Sequence, residues 1–296
     1  MLRVRVPATT ANLGAGFDCL GLALSLFNEV EAETADELDI RVEGEGAAEL
    51  PADATNLVWR AAQRVFEHVS HAPRGARLRL RNAIPLESGL GSSAAATVAG
   101  LMIGNALVGA PLDEAALLDL AVTMEGHPDN VAPALLGGLV VAGQADSARL
   151  LVERVAIPAL TVVVVMPSFR LSTALARQAL PASVPMADAV FNLSHTALTL
   201  LALQRGDYAA LIDAMTDRLH QPYRAPLAPG LAAALDAARA RGAAAAISGA
   251  GPDVIAFPAS RHAEIGEAMR GAFVTAGLGA RVWLLQAARG ASLTTA

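Results

Sequence analysis

The sequence predicts an α+β protein of two domains. Three observations carry that prediction. The chain has 296 residues, too many for one small core and too few for three ordinary domains. Its strand-like and helix-like segments follow one another without the strict alternation of a doubly wound sheet. An apolar run, LTVVVVM from Leu160, has the pattern of a buried strand and opens a new unit after two earlier strand-like segments. The boundary therefore falls near Ala156, dividing the chain into 1–155 and 156–296.

Each element has its own local reason. Val4 and Val6 alternate with Arg3 and Arg5, and Leu38, Ile40 and Val42 alternate with Asp39 and Arg41, the period of half-buried strands. Leu78 and Leu80 repeat the pattern in RLRLR. Leu57, Ala61, Ala62, Val65, Phe66 and Val69 recur at helical spacing, with Thr55 or Asn56 placed to cap the start. A second helix is expected from Ser92 to about Leu107, and a third after Asp113. LGGLVVAG and ARLLVERV read as strands. Helical patterns then fill much of the chain from Thr173 to Arg241. The last part reads strand, turn, strand, helix, strand, in AAAAISGAGPDVIAF, HAEIGEAMRGAFVTA and ARVWLLQ.

Composition removes whole classes of function. Hydrophobic residues are 54% and charged residues 17%, with mean hydropathy +0.43, so a large core can form. The apolar run Leu160 to Met166, interrupted only by Thr161, is far below the roughly 20 residues that span a bilayer. The start, MLRVRVP, alternates where a signal peptide would be continuously apolar, so the expectation is a cytoplasmic protein with no membrane partner. A net charge of -6 and a pI near 5.5 argue against a nucleic-acid partner. All 22 basic residues are Arg, which excludes Schiff-base chemistry, a pyridoxal anchor and a Walker A lysine. The lone Cys19 and six scattered His give no structural zinc pattern, and His68 and His71 fit a solvated surface.

The most informative segment is PLESGLGSSAAATVAGLMIGNAL, from Pro85. Gly89 and Gly91 let a backbone approach a ligand closely, Ser92 and Ser93 supply hydroxyls, and a helix begins at once. Free N–H groups at a helix start make an anion site suited to phosphate. A tight turn capped by serine explains the same residues. GLGSSA also matches a loose dinucleotide form, but Pro85, Glu87 and Ser88 intervene where a strand should run straight into the first glycine. No GxSxG nucleophile elbow is present at this loop or at ISGAGP.

Taken together, PLESGLGSSAA, the N-terminal PATTANLGAGFDCLGLAL from Pro7 and the C-terminal AAISGAGPDVIAF from Ala245 resemble the three motifs of the GHMP kinases, in order and over nearly the whole chain. ANLGAGFD with EGHPDNVAPALLGG resembles the branch of that family acting on homoserine. Glu87 departs from the small residue usual there. The resemblance implies the GHMP two-domain fold, with a ferredoxin-like C-terminal domain and the active site between the domains. It implies an ATP-dependent kinase of threonine biosynthesis that phosphorylates the L-homoserine side-chain hydroxyl with Mg2+. Another small alcohol of mevalonate type, a nicotinamide oxidoreductase and a non-catalytic protein of the same fold are the alternatives.

What the resemblance implies for single residues follows. Nucleotide binding falls to Asn56 and to the loop Pro85, Leu86, Glu87, Ser88, Gly89, Leu90, Gly91, Ser92, Ser93, Ala94 and Ala95. Magnesium falls to Glu125 and Ser93. An amino-acid acceptor needs its carboxylate paired with Arg and its ammonium with Asp or Asn, because either charge buried alone is costly. Arg177 and Arg224 take the carboxylate, while Asn12, Asp18, His127, Asp129 and Asn130 surround the ammonium and hydroxyl. Asp18 and Thr173 join Glu125 and Ser93 as catalytic candidates, with no general base assigned. Local roles compete: helix capping for Asn56, turn chemistry for Asp18 and Asn130, a solvated helix face for the two arginines. The apolar content also permits a homodimer.

Overall fold

A computed structural model describes residues 1–147 and 149–295. Ala148, which begins ARLLVERV, and Ala296 lie outside the described residues. The first unit runs β1 (Leu2–Ala11), β2 (Leu20–Ala35), β3 (Asp39–Gly44), α1 (Leu57–Val69), β4 (Gly75–Asn82), α2 (Ser92–Leu107), α3 (Glu114–Glu125), α4 (Pro128–Leu136), β5 (Leu139–Gln144) and β6 (Leu150–Val155). Its strands form one sheet in which β2 pairs β1, β4 and β5, β6 pairs β5, and the β3–β4 pair is parallel.

The period-two pattern explains the register. Glu29, Glu31 and Glu33 on β2 stand opposite Arg81, Arg79 and Arg77 on β4, while Val30 and Ala32 stand opposite Leu80 and Leu78 on the buried face. Arg3 and Arg81 reach Glu31 at 2.6 and 3.3 Å. Five of the arginines thus serve an acid–base ladder on the outer face, completed by Arg5 with Glu29, Arg77 with Glu33 and Arg79 with Glu43.

The second unit runs β7 (Thr161–Pro167), α5 (Thr173–Gln178), α6 (Met186–Arg205), α7 (Tyr208–Ala214), α8 (Gln221–Arg224), α9 (Leu231–Arg239), β8 (Ala244–Ile247), β9 (Val254–Phe257), α10 (His262–Thr275) and β10 (Ala280–Gln286). Its sheet order is β10-β7-β9-β8, fourth, first, third, second in sequence, and every pair is antiparallel. That is the ferredoxin-like arrangement. Val162 and Val164 face one core and Val163 and Val165 the other, so the run is apolar throughout because both faces of β7 are covered.

Three features differ from the sequence reading. The division at Ala156 falls between β6 and β7, but β11 (Ser292–Thr295) pairs with β1 and so lies with the first sheet rather than with 156–296. All four β11 residues are exposed, which left no periodicity to detect. β2 and α4 were also missed: β2 mixes apolar and polar residues along 16 positions and changes partner midway, and α4 carries Pro128 and Pro133. Finally, counting unbroken apolar runs passes over α6. Its 20 residues, mean hydropathy 1.3, meet the length and composition of a membrane span, although its Asn192 is buried and bonded to Ala15 O and Asp217.

α1 and α2 cross closely at Gly100 and Gly104. A Cβ on Gly100 would sit 2.1 Å from Val58 O. Gly100→Ala gains about 1 kcal/mol of helix propensity but must displace backbone, an overpacking cost of about 1 to 3 kcal/mol or more. The expected outcome is a lower thermal unfolding midpoint, read by calorimetry; an unchanged or raised midpoint would show that the helices can separate freely.

Candidate active site

The phosphate-type loop is built by three contacts that only glycine or a short side chain allows. Gly91 precedes α2 at φ +67°, and a Cβ there would meet Thr9 Oγ1 at 2.0 Å. Gly89, at φ +94°, would meet Ser248 O at 2.2 Å. Ser248 Oγ donates to Gly89 O at 2.8 Å, and Thr9 N donates to Leu90 O at 3.1 Å. No side chain caps α2, so its first-turn N–H groups face the loop. Anions are stabilised at such an end.

The loop forms one wall of a cavity of about 610 Å³ lined from both units. That volume is in the range of small-molecule sites. Leu86, Glu87, Ser88, Gly89, Gly91, Ser92, Ser93 and Ala95 line it; Pro85, Leu90 and Ala94 do not, being turned into the protein, with Leu90 and Ala94 wholly buried. Asn56 lines it too, yet its side chain accepts from Val58 N at 3.0 Å and donates to Pro51 O at 2.7 Å. Its amide is used to cap α1, and its effect on the cavity is to fix where that helix begins.

The two loop serines separate. Ser92 turns back toward Ile84 O at 3.4 Å, while Ser93 donates to Glu125 Oε2 at 3.0 Å. Thr97, one turn along α2 from Ser93, donates to Glu125 Oε1 at 2.9 Å. The i, i+4 spacing of Ser93 and Thr97 was a signal that could have named Thr97. Hard oxygen donors beside a phosphate loop suit Mg2+, which takes one or two carboxylates and completes its shell with phosphate and water. Among the described residues no group of three or more His, Cys, Asp or Glu could hold a metal.

At the other end, Arg177 on α5 makes a bidentate pair with Asp18, at 2.9 and 3.0 Å. That bond raises the already high pKa of the guanidinium. Asp18 itself sits at φ +53°, its N–H held at 3.0 Å by Asn12 Oδ1, while Asn12 Nδ2 donates to Gly249 O at 2.7 Å. Both polar atoms of Asn12 are therefore engaged with backbone. Arg224 is only 2% exposed and lines the cavity, and among the described residues no carboxylate pairs with it. Its NH1 donates to Gly249 O at 3.2 Å and lies 3.3 Å from His220 Nδ1. Burial pulls both Arg224 and His220 below their ordinary values, so His220 is held neutral beside the cation.

His127 and Asp129 form a dyad at 2.7 Å, and that bond raises the imidazole above its ordinary value against the effect of burial. Asn130 accepts from Thr9 Oγ1 at 2.8 Å, tying α4 to the loop's floor. Thr173 lines the cavity as the first residue of α5. Asp18 thus has a turn-like backbone, at φ +53°, and also lines the cavity.

Some cavity residues had no sequence signal. Arg170 makes a bidentate bridge to Glu49 at 2.6 and 2.7 Å, joining the two units across the cavity, and the Glu87 carboxylate adds to the field on Arg170. Arg281 with Glu45, at 2.6 Å, is a second such bridge. Phe17 stacks on His220 and lies under Arg224 at 5.1 Å.

Comparison with known proteins follows the same lines. Residues 56–138 match the model of the GHMP kinases N terminal domain, and 199–275 that of the GHMP kinases C terminal domain. The chain is 48% identical over 277 residues to homoserine kinase of Moorella thermoacetica, covering 93% of each, and 45% identical to that of Desulfitobacterium hafniense, covering 96% and 97%. The crystal structure of homoserine kinase from Cytophaga hutchinsonii superposes with TM-score 0.87 at 32% identity, over 99% of this chain and 97% of that one. With both domains matched in order and such relatives aligned along nearly its whole length, the chain belongs to the GHMP kinase family, among its homoserine kinases.

Proposed function

We propose that the protein transfers the γ-phosphoryl group of ATP to the side-chain hydroxyl of L-homoserine, giving O-phospho-L-homoserine for threonine biosynthesis. The observation that carries this reading is Arg224. A guanidinium buried without a carboxylate, 2% exposed and facing a cavity, is costly unless an anion joins it. An amino-acid carboxylate is such an anion, and Arg177 stands beside the same cavity with a planar fork that can take it. Mevalonate also carries a carboxylate, but its alcohol has no ammonium for Asp18 and the Asp129–Asn130 pair to receive. The homoserine reading uses both kinds of group.

At the other end, the open N–H groups of α2 and the backbone at Gly89 and Gly91 support binding of the triphosphate. Ser93 and Glu125 are the residues that would hold Mg2+, which would neutralise phosphate charge. Arg177 must leave part of its bond with Asp18 to bind a carboxylate, and Asp18 is then available to the substrate's ammonium. His127 and Asp129 orient one another. A loose transition state asks little of a base, so the contribution of these groups is chiefly alignment of the hydroxyl with the phosphate. The assignment treats 1–155 as the nucleotide unit and the second unit as supplying both arginines. A cytoplasmic location and a homodimer are carried with this reading, the latter on apolar composition alone.

ADP release should be fast with homoserine and slow with serine, threonine, mevalonate and galactose, the product being identified by mass. Equal turnover of mevalonate would overturn the acceptor. Glu125→Ala should depress turnover by orders of magnitude in a folded protein; near-normal turnover at saturating magnesium would remove Glu125 from the metal role.

Arg177→Ala and Arg224→Ala should each weaken homoserine by roughly 10- to 150-fold, the worth of a charge-assisted hydrogen bond, while an ATP analogue binds nearly as before. Gly91→Val should show the reverse, because its side chain would meet Thr9 Oγ1. Calorimetric titration with each ligand separates the cases. Arginine variants that lose the nucleotide and keep homoserine would reassign those arginines to the phosphates.

A further inference from the structure

Beneath the phosphate loop lies a carboxyl group that the reading above does not use. Asp253 closes the SGAGPD turn and is 0% exposed. Neither of its carboxyl oxygens has a hydrogen-bond partner among the described residues. Its backbone is firmly held: Asp253 N donates to Ser88 O at 3.2 Å, and Ser248 N donates to Asp253 O at 2.8 Å. A buried polar side chain left without partners costs free energy, and the same spot would take an apolar residue more cheaply.

Ser88 is the link to the loop. It is 3% exposed, its hydroxyl donates to Pro85 O at 3.2 Å and accepts from Leu90 N at 3.3 Å, both long for bonds of these types. The hydroxyl is thus weakly committed, and Ser88 itself is joined to Asp253 by the bond from Asp253 N to Ser88 O and immediately precedes Gly89 in the loop. We propose that Asp253 is a positioning residue for the nucleotide, acting through the Ser88 hydroxyl to set how Gly89 and Gly91 present their backbone to the phosphates. The inference rests on the reading that this loop holds nucleotide phosphates.

The electrostatics fit that role. Burial pushes the Asp253 carboxyl well above the usual carboxylate range, and the charge of Arg281 on β10 and the nearby Ser88 hydroxyl, which is not in hydrogen-bonding geometry with it, offset this only in part. Arg281 is the charged side chain that acts on it among the described residues, and Arg281 is itself paired with Glu45. As a neutral acid, Asp253 can both donate to Ser88 and accept from it. Raising the pH ionises it, places an uncompensated charge under the loop and removes the donor. Nucleotide affinity should therefore be full where the acid is neutral and fall as the pH rises through its raised pKa.

The test is calorimetric titration of the protein with a non-hydrolysable ATP analogue, and separately with homoserine, from acidic to alkaline pH. The wild type should lose analogue affinity as the pH rises. Asp253→Asn, a neutral group of the same shape, should hold the neutral-pH affinity and abolish the alkaline loss. Asp253→Ala should weaken the analogue roughly tenfold at neutral pH with much less effect on homoserine. Ser88→Ala combined with Asp253→Ala should cost little more than either alone, because the two act as one unit.

An alkaline loss that persists in Asp253→Asn, equal weakening of both ligands in Asp253→Ala, or additive effects of the two alanine substitutions would each overturn the proposal. If Asp253→Ala does not fold, the Asn variant and Ser88→Ala decide it through the pH profile alone. A wild type that takes up no analogue overturns the phosphate reading as well; a wild type that binds while its variants match it at every pH overturns only the role of Asp253.

Discussion

The site depends on one short hydrogen bond between residues 237 positions apart: Asn12 Nδ2 to Gly249 O, at 2.7 Å. It fastens the N-terminal motif to the C-terminal one, and the phosphate loop is clamped against the seam they make. Gly249 N returns a bond to Ala11 O, and Ser248 Oγ reaches both Thr10 Oγ1 and Gly89 O. Three loops that are each unremarkable turns become one rigid wall because their backbones contact directly. A Cβ on Gly89 would meet the Ser248 carbonyl at 2.2 Å, and one on Gly91 the Thr9 hydroxyl at 2.0 Å.

From this seam the two ends of the cavity take opposite characters. The α2 end is left uncapped and offers N–H groups, with Ser93, Thr97 and Glu125 beside it. The far end is cationic and desolvated, with Arg224 held by Gly249 O, Ala176 O and a neutral His220. The same carbonyl of Gly249 accepts from Asn12 and from Arg224. Positioning of the cation and closure of the seam therefore share one acceptor.

Charge is handled differently on the surface and in the site. The Arg–Glu ladder on the first sheet is solvated, and its individual pairs are each worth little. In the cavity, Arg177 and Asp18 are held to each other by a bidentate, partly buried pair. Arg170 with Glu49 adds a bridge between the units at the cavity's edge, where an ion pair contributes register more than stability.

How much of this the residues announce on their own depends on the range of the interaction that determines them. The period-two strands, the α1 and α2 helices, the Asn56 cap and the buried β7 are set by local pattern, and they were legible because each rests on neighbours within a few positions. The candidate residues were named one by one through motif likeness, yet which of them touch was not: Ser93 meets Glu125 across 32 positions and Arg177 meets Asp18 across 159. The resemblance favoured Ser93 over Ser92 beside Glu125, and the structure shows the physical difference: Ser93 donates to Glu125 while Ser92 turns back toward Ile84 O. β11 was invisible because an exposed edge strand has no burial to impose a period. Arg170 and Asp253 gained their places only when distant loops closed on one another. Composition and short motifs determined the chemistry available to this protein, and the long-range backbone contacts decided which groups meet, because a contact across 100 or more positions leaves no spacing in the chain from which it could be read.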